Sequence, residues 1–358
     1  MIEFLFAGSL WWEGRLRTGE ALRLAPDGHA TPVPLADVPD GAPRRRFPGT
    51  LLPGLTDAHV HSGLIDLATV RAGGIAAVWD LGSVPARVAA LAGHSAPAAH
   101  SAPAAHSAPA APAAPAAPAA PAGPGARPVL PRIRYAGPFL TAPGGYPSDR
   151  AWAAPGSWRE IDSAAEATAA VAEAHAAGAT LIKAVAQLRL FTLTALVDAA
   201  HDLRLPVVVH AEGPGTVATA YEAGADILAH TPWTEPLDRA LVHACAQRMS
   251  WISTLDIHGW GVPTRDQATA VANLRRFLEY GGAVRYGTDL GNGPLPPGVN
   301  PREIRALQSA GLTPTDILLS MTGSDVTWIP GGLDLEPSRF ADSLATARVL
   351  DDTIRPRL

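Results

Sequence analysis

Cysteine is nearly absent from this sequence of 358 residues, in which Cys245 is the single example. One cysteine excludes an intramolecular disulfide and a cysteine-rich zinc site. Cys245 lies in a helical pattern between Leu241 and Met249, which favours a small buried apolar side chain over a nucleophile. Thiol chemistry is therefore not expected to carry the function.

Long apolar runs and clusters of positive charge are also missing. No stretch of about 18 uninterrupted apolar residues suggests a membrane span, and residues 1–6 lack the basic and apolar regions of a signal peptide. The net charge is -5 and the basic residues cluster only at Arg44-Arg45-Arg46, which argues against nucleic acid or an anionic membrane as a partner. We expect a cytoplasmic protein that acts on a small molecule, and homo-oligomerisation is left open.

The two ends of the chain differ from the middle in their predicted secondary structure. Hydrophobic residues make up 47% of the sequence, enough for one large domain with an appendage or for two domains. Residues 1–50 read as short strands at 2–6, 21–24 and 31–35, too few to form a core alone. We expect them to pair with the C-terminal tail, residues 328–358, which has a β-like stretch at 345–350.

From Thr50 onwards, apolar runs alternate with helical patterns. The predicted strands are 51–59, 74–81, 132–140, 180–185, 205–210, 226–230, 250–255 and 283–288. The predicted helices are 84–92, 163–177, 191–203, 216–223, 236–248, 265–280, 301–310 and 314–321. Near-continuous apolar strands between helices indicate a parallel sheet covered on both faces, and eight such units over about 250 residues suit a closed (β/α)8 barrel. A doubly wound open sheet is the competitor, but no Gly-rich phosphate loop follows the first strand.

One segment does not fit this alternation. Residues 94–128 contain three copies of His-Ser-Ala-Pro-Ala-Ala followed by Pro-Ala-Ala repeats. Proline at every third position prevents a regular helix, and the composition cannot build a core. We predict a dispensable, disordered or polyproline-like insertion. Its histidines, His94, His100 and His106, are better explained by repeat drift than by metal binding.

Potential metal ligands stand at the ends of the predicted strands. His59 and His61, two apart on the first strand, point to the same face and can aim at one metal ion. Alone the pair is a weak signal. In a parallel barrel the carboxyl ends of the strands meet at one rim, and the later strands bring Lys183, His210, His230 and Asp289 to it.

Each of these residues also has a structural interpretation. A lysine among apolar neighbours is costly to bury unpaired; Lys183 is either structural or carboxylated by carbon dioxide to bridge two ions. Asp289 is a turn or cap residue, or a metal ligand and general base. His230 has the alternative of a satisfied core histidine, and Glu212, a second candidate acid, that of a surface residue.

One segment resembles the signature of the amidohydrolase superfamily: Pro53-Gly54-Leu55-Thr56-Asp57-Ala58-His59-Val60-His61. Further matches follow in order over most of the chain, and the sequence looks like the imidazolonepropionase-like and prolidase-like metal-dependent amidohydrolases. They are Gly73-Gly74-Ile75, Trp79-Asp80-Leu81-Gly82, Gly137-Pro138-Phe139-Leu140-Thr141, Gly144-Gly145, Gly178-Ala179-Thr180-Leu181-Ile182-Lys183, Val209-His210-Ala211, Ala223-Gly224-Ala225-Asp226-Ile227-Leu228-Ala229-His230 and Gly287-Thr288-Asp289.

The resemblance implies a (β/α)8 barrel over residues 51–327 and a small β-sandwich built from residues 1–50 and 328–358. It implies hydrolysis of amide-type C–N bonds in non-peptide, cyclic-amide or dipeptide-like small molecules. The implied cofactors are two divalent metal ions, zinc being favoured, that share an activated hydroxide. The implied ligands are His59, His61 and Asp289 for one ion and His210 and His230 for the other, with carbamylated Lys183 as the bridge and Asp289 as the catalytic proton relay.

The chain departs from the relatives at several places. Tyr146 stands where they usually have histidine, and the tail reads Arg339-Phe340-Ala341-Asp342-Ser343-Leu344-Ala345 instead of Ala-Asp-Leu followed by an apolar strand. Substrate-specific contacts are expected on strand-to-helix loops. The candidates there are Tyr146, Trp233, His258 and Trp260, with packing as the alternative role of the tryptophans.

Three other functions compete with amide hydrolysis. A lactonase or another ester or phosphoester hydrolase would use the same ligands. A deaminase typically needs one metal and lacks the lysine and the sixth-strand ligand, so Lys183 and His230 disfavour it. A non-catalytic barrel would be expected to have lost ligands, and all six positions are present. Manganese, iron or nickel would suit these ligands as well as zinc.

Overall fold

The computed structural model describes residues 2–26, 28–95 and 129–350. The Ala/Pro-rich insertion predicted at 94–128 therefore lies, except for its first two residues, outside the described residues. In the described part of the chain, no helix is both long and apolar enough to cross a membrane.

Strands and helices alternate over most of the described ranges. The strands are β1 (Glu3–Phe6), β2 (Ser9–Trp12), β3 (Arg15–Arg17), β4 (Glu20–Leu24), β5 (Ala30–Pro34), β6 (Arg44–Arg46), β7 (Thr50–Val60), β8 (Ile75–Asp80), β9 (Arg132–Tyr135), β10 (Phe139–Thr141), β11 (Trp158–Glu160), β12 (Ile182–Val185), β13 (Val207–His210), β14 (Ile227–Leu228), β15 (Ser250–Ile252), β16 (Ala283–Arg285), β17 (Thr322–Ile329) and β18 (Arg348–Val349). The α-helices are α1 (Leu67–Ala72), α2 (Pro85–His94), α3 (Ala164–Ala176), α4 (Leu190–Asp202), α5 (Thr216–Glu222), α6 (Arg239–Arg248), α7 (Arg265–Glu279), α8 (Pro301–Ala310), α9 (Pro314–Met321) and α10 (Pro337–Leu344).

The N-terminal strands and the tail form two sheets. One has the order β5-β4-β1-β6, and the other contains β18-β17-β7-β2-β3. Leu5 and Leu22 of the first sheet share an apolar cluster with Leu10, Leu51 and Val326 of the second. The predicted pairing of the tail with the beginning of the chain thus runs through β7, which lies between β2 and β17.

The long strand β7 belongs to both parts of the fold. Its first half pairs with β17 antiparallel, and its second half pairs with β8 in parallel. A Cβ at Gly54 would lie 1.9 Å from the carbonyl oxygen of Ser324 in β17. Only glycine allows β17 to approach this closely, which explains the glycine where the chain passes from the terminal sheet to the parallel strands.

The strands of the middle region are parallel, as predicted. They fall into a segment β7-β8-β9 and a sheet with the order β11-β10-β12-β13-β14-β15-β16. Backbone hydrogen bonds join the two. On one side Thr180 N–H donates to Tyr135 O at 3.0 Å; on the other Ala58 N–H donates to Tyr286 O at 2.9 Å and His61 N–H donates to Leu290 O at 2.8 Å. The fold is a mixed α/β arrangement of several sheets, with the carboxyl ends of the parallel strands at one edge.

Several elements differ from the sequence-based expectation, among them α1, β11 and β17, which no predicted strand or helix covers. The strand predicted at 132–140 is divided into β9 and β10, because Gly137 adopts a left-handed conformation (φ 77°) and Pro138 has no N–H for a ladder. Helix α10 was not anticipated in the Gly/Pro-punctuated tail. It begins with Pro337, a favourable first helical residue, and buries Phe340 and Leu344.

The helices begin at capping residues and bury one face. A capping box between Ser163 and Glu166 starts α3, which buries Ala167, Ala170 and Val171. Helix α6 begins at Arg239, three residues later than the predicted start, because the Asp238 side chain accepts from Ala240 N–H. Cys245 is fully buried in this helix, and burial raises the pKa of its thiol to about 11, in agreement with a packing role.

Candidate metal centre

Three potential ligands from the two ends of the parallel region meet at the carboxyl edge. His59 is the last residue but one of β7, His61 directly follows that strand, and Asp289 follows β16. Nε2 of each imidazole lies 3.0 Å from Oδ1 of Asp289, and the ligand atoms of the three residues all lie within 4.8 Å of one another. All three are buried. Buried polar groups so close together, two of them imidazoles, form a plausible metal-binding set.

Hydrogen bonds from the backbone hold the two imidazoles in place. Nδ1 of His59 lies 2.8 Å from the carbonyl oxygen of Ala229, and Nδ1 of His61 lies 3.4 Å from that of Gly82. A carbonyl oxygen can only accept, so each Nδ1 carries the proton and each Nε2 presents a lone pair towards Asp289. Hydrogen bonds of this kind, which fix the orientation of the ring, are typical of metal-binding histidines.

A second pair of histidines adjoins the first. The ring centroids of His230 lie 4.6 Å from His59 and 5.0 Å from His210. Nε2 of His210 donates to the Glu212 carboxylate at 3.1 Å, which leaves the buried Nδ1 without a partner among the described residues. Nδ1 of His230 lies 2.9 Å from Thr254 Oγ1, so Nε2 is the ring nitrogen that remains for a metal ion. A buried, unpartnered imidazole nitrogen is costly unless a ligand satisfies it.

Lys183, on β12, lies at the same centre. Its side chain is fully buried, and its Nζ has no hydrogen-bond partner among the described residues. Burial lowers the pKa of Lys183 to about 7, with Asp289 opposing the shift. The sequence contains no other lysine; all other cationic side chains are arginines or histidines. The ring centroid of Phe139 lies 5.6 Å from Nζ of Lys183, and a chemical use of this lysine, as opposed to a structural one, stays a prediction.

Electrostatics at the centre favour neutral imidazoles and an ionised carboxylate. Burial lowers the pKa of His59 to about 4, and Lys183 adds to that lowering. Burial would raise the pKa of Asp289, but its electrostatic interactions with His59 and His61 hold it well below its usual range. Burial, together with His59, likewise holds the pKa of His230 well below normal. Neutral imidazoles beside a carboxylate are the protonation states that metal binding requires.

The donor set fits a divalent metal centre. Four histidines, an aspartate and an amine without a hydrogen-bond partner among the described residues converge here. In His59, His61 and His210 one ring nitrogen makes a hydrogen bond, and the lone pair of the other nitrogen remains available for a metal ion. Imidazole and carboxylate donors suit zinc and its first-row neighbours. The structure thus brings together all six residues that the sequence placed on strands or at their ends, and their assignment as ligands stays a prediction.

The residues predicted to contact substrate lie on two sides of this centre. Tyr146 stacks on His210 with ring centroids 4.5 Å apart. Trp233 stacks on His258 at 4.7 Å and meets His230 edge-on at 5.4 Å. Trp260 is half exposed on the loop after β15. Their roles in substrate binding stay predictions.

Sequence reasoning did not single out two residues that the structure places here. Trp152, 40% exposed, lies with its ring centroid 6.0 Å from that of His61. Asp57 is buried beneath the histidines and accepts from His59 N–H at 3.0 Å, Thr288 N–H at 3.0 Å and Thr288 Oγ1 at 2.6 Å. The motif around His59 contains Asp57, so the sequence did carry a signal for this residue. The pattern did not indicate what the residue does.

Asp57 ties the strand of His59 to the segment that leads into Asp289. Replacing it with alanine is expected to lower the free energy of unfolding by about 3 kcal/mol, because three buried donors lose their acceptor. Chemical denaturation of the purified protein measures the change.

Asp66 provides a matched control for this substitution. It is an exposed N-cap that accepts from Ala68 N–H and Thr69 Oγ1, and Asp66→Ala is expected to cost only about 1 kcal/mol. Equal losses in the two variants would contradict the role given to Asp57.

Comparison with known proteins identifies solved structures that share this fold. No protein-family model matches the sequence, and no curated protein matches it. Solved structures do match. A. niger ochratoxinase is 18% identical over 97% of this chain and 93% of its own, with a TM-score of 0.72. A Xaa-Pro dipeptidase with bound methionine is 16% identical over 97% of both chains (TM-score 0.71), and a putative prolidase from Bifidobacterium longum is 19% identical over 100% and 96% (TM-score 0.72). The chain therefore shares the fold of these solved structures.

Proposed function

We propose that this protein is a metal-dependent amidohydrolase that uses two divalent metal ions, most simply zinc, to cleave an amide-type C–N bond in a small molecule. The observation that carries the proposal is the buried amine of Lys183, unpartnered among the described residues, at a centre shared with four histidines and Asp289. The likeness to ochratoxinase and the two prolidase-type structures supports the reaction class.

The proposed ligand assignment follows the available lone pairs. His59 and His61, through Nε2, and Asp289 hold one ion. His210, through Nδ1, and His230, through Nε2, hold the other. Lys183 would be the bridging ligand as a carbamate: its neutral amine would form an N–C bond with carbon dioxide and release one proton to solvent. Burial, which lowers the pKa of Lys183 to about 7, favours the neutral amine that this addition needs.

Metal ions bound here would lower the pKa of a water molecule and polarise the substrate carbonyl. The protein's own contribution is proton transfer by Asp289. Its Oδ1 lies between the imidazoles of His59 and His61, whereas its Oδ2 accepts from Nδ2 of Asn292 at 2.9 Å. We assign to this carboxylate the removal of a proton from the attacking water and its delivery to the departing nitrogen.

The proposal also includes two features of the fold, a closed barrel and a terminal β-sandwich. Closure of the parallel strands into a (β/α)8 barrel over residues 51–327 is supported by the bonds that link β9 to β12 and the β16 end to β7. A terminal β-sandwich of residues 1–50 and 328–358 is supported by the apolar cluster shared between the two terminal sheets. β17 spans the boundary drawn at 327/328.

A hydrolysis screen combined with elemental analysis tests the proposed function. The purified protein is expected to contain about two metal ions per chain and to release amine from N-acyl amino acids, dipeptides or cyclic amides. Removal of metal by a chelator is expected to abolish turnover, and zinc is expected to restore it. Turnover that survives complete metal removal would contradict the proposal, and activity on lactones alone would favour the ester-hydrolase alternative.

A further inference from the structure

A small cavity opens directly beside the candidate metal centre. Its volume is about 200 Å³, and its walls are Leu64, Tyr146, Trp152 and the loop 291–293, with His61 at the inner end. The loop can pass this close because Gly291 has no side chain; a Cβ there would lie 3.1 Å from Cβ of His61. A group in this cavity would therefore sit next to a candidate metal ligand.

The walls of the cavity are largely aromatic, and some of their side chains are exposed to solvent. The Trp152 ring centroid lies 6.0 Å from that of Tyr146 at 61° and 6.0 Å from that of His61 at 43°. Trp152 is 40% exposed and Leu64 45% exposed. Three rings at tilted angles around an opening offer the edge-to-face contacts that a further aromatic ring prefers.

Among the residues that the structure describes, no lysine, arginine, aspartate or glutamate side chain lines the cavity. The polar side chain on its wall, Asn292, is directed to Asp289, to which its Nδ2 donates. The nearby Arg150 guanidinium lies 5.7 Å from the Tyr146 ring centroid and is paired with the Asp149 carboxylate at 3.4 Å. A charged substituent in the cavity would lose water without gaining a partner, which is unfavourable.

The volume limits the size of the occupant. An engineered apolar cavity of about 150 Å³ binds benzene, so about 200 Å³ admits one ring with a small substituent. Burying one such ring is worth more than 1.4 kcal/mol on area grounds, or at least a factor of about 10 in affinity.

We propose that this cavity, defined by Leu64, Tyr146 and Trp152, is a substrate subsite for one uncharged aryl group. The inference rests on the proposed function and narrows its substrates to small aryl-bearing amides, as opposed to dipeptides with two charged ends.

The test compares two metal-binding probes that differ only in the aryl group. Acetohydroxamic acid and benzohydroxamic acid are titrated by calorimetry into zinc-loaded protein whose metal content is known. Benzohydroxamic acid is expected to bind about 10-fold or more tightly. Trp152→Ala and Leu64→Ala are each expected to reduce this ratio several-fold, whereas Trp152→Phe, which keeps a ring, is expected to retain most of it.

Leu319→Ala is the matched control for Leu64→Ala, since Leu319 is also about half exposed (51%) but lies on α9; its ratio is expected to equal that of the wild type. A para-carboxylate on benzohydroxamic acid is expected to abolish the aryl preference, and tighter binding of that acid would overturn the proposal. An equal affinity for the two parent probes, or a ratio unchanged by Trp152→Ala, would overturn it as well. Failure of acetohydroxamic acid to bind at all would instead contradict the metal-dependent function on which it rests.

Discussion

Asp289→Asn is expected to lower kcat by a factor of about 1,000 or more while leaving the metal content largely intact. The amide keeps an oxygen that can face His59 and His61, so metal binding survives. It cannot accept a proton from the attacking water or deliver one to the leaving nitrogen. Turnover is measured with the best substrate from the screen, and metal content by elemental analysis of the same sample.

The exposed Asp198, on α4, provides the control. Asp198→Asn makes the same chemical change on the protein surface and is expected to leave kcat and metal content unchanged. Near-wild-type turnover in Asp289→Asn would remove the proton-relay role from this residue. Loss of both metal and turnover would instead assign it to metal binding alone.

Lys183→Ala is expected to lose at least one metal ion per chain and most of the activity, because the bridging carbamate disappears. Short-chain carboxylic acids such as acetate and propionate are expected to restore part of both, since they place a carboxylate in the space left by the side chain. Elemental analysis and turnover, each with and without the acid, measure the rescue.

Lys183→Met separates this explanation from simple loss of charge. Methionine fills much of the same volume, so the acid has no room to bind and no rescue is expected. Because the sequence contains a single lysine, protein prepared with 13C-bicarbonate is expected to give one lysine carbamate signal by 13C NMR, absent from both variants. Full metal occupancy in Lys183→Ala would count against a carbamate bridge.

Several features were predictable from the sequence because they depend on local patterns. The alternation of apolar runs with helical segments predicted parallel strands, and the structure contains them with helices between. The placement of His59, His61, Lys183, His210 and His230 on or at the ends of strands follows from the same runs. Parallel strands bring their carboxyl ends to one edge, so convergence of these residues followed from the strand order without knowledge of any distance.

Other features depended on neighbours distant in the chain. The division of the third predicted strand at Gly137 becomes apparent when β10 is seen to pair with β11 and β12 instead of continuing β9. The solitary lysine was visible in the sequence, but its burial without a partner was not. Nor did any local pattern indicate that Trp152 would lie beside His61.

By itself, then, the sequence determined the order of the strands and helices, the placement of the candidate ligands at strand ends and the resemblance to amidohydrolases, because periodicity, glycine and proline breaks and short motifs act over a few residues. Tertiary structure alone decided which nitrogen of each imidazole is left available, how Asp57 joins the ends of the parallel region, and which rings enclose the cavity beside His61. Those outcomes are set by hydrogen bonds and packing between segments tens to hundreds of residues apart, as with Asp57 and Thr288, whose separation is 231 residues.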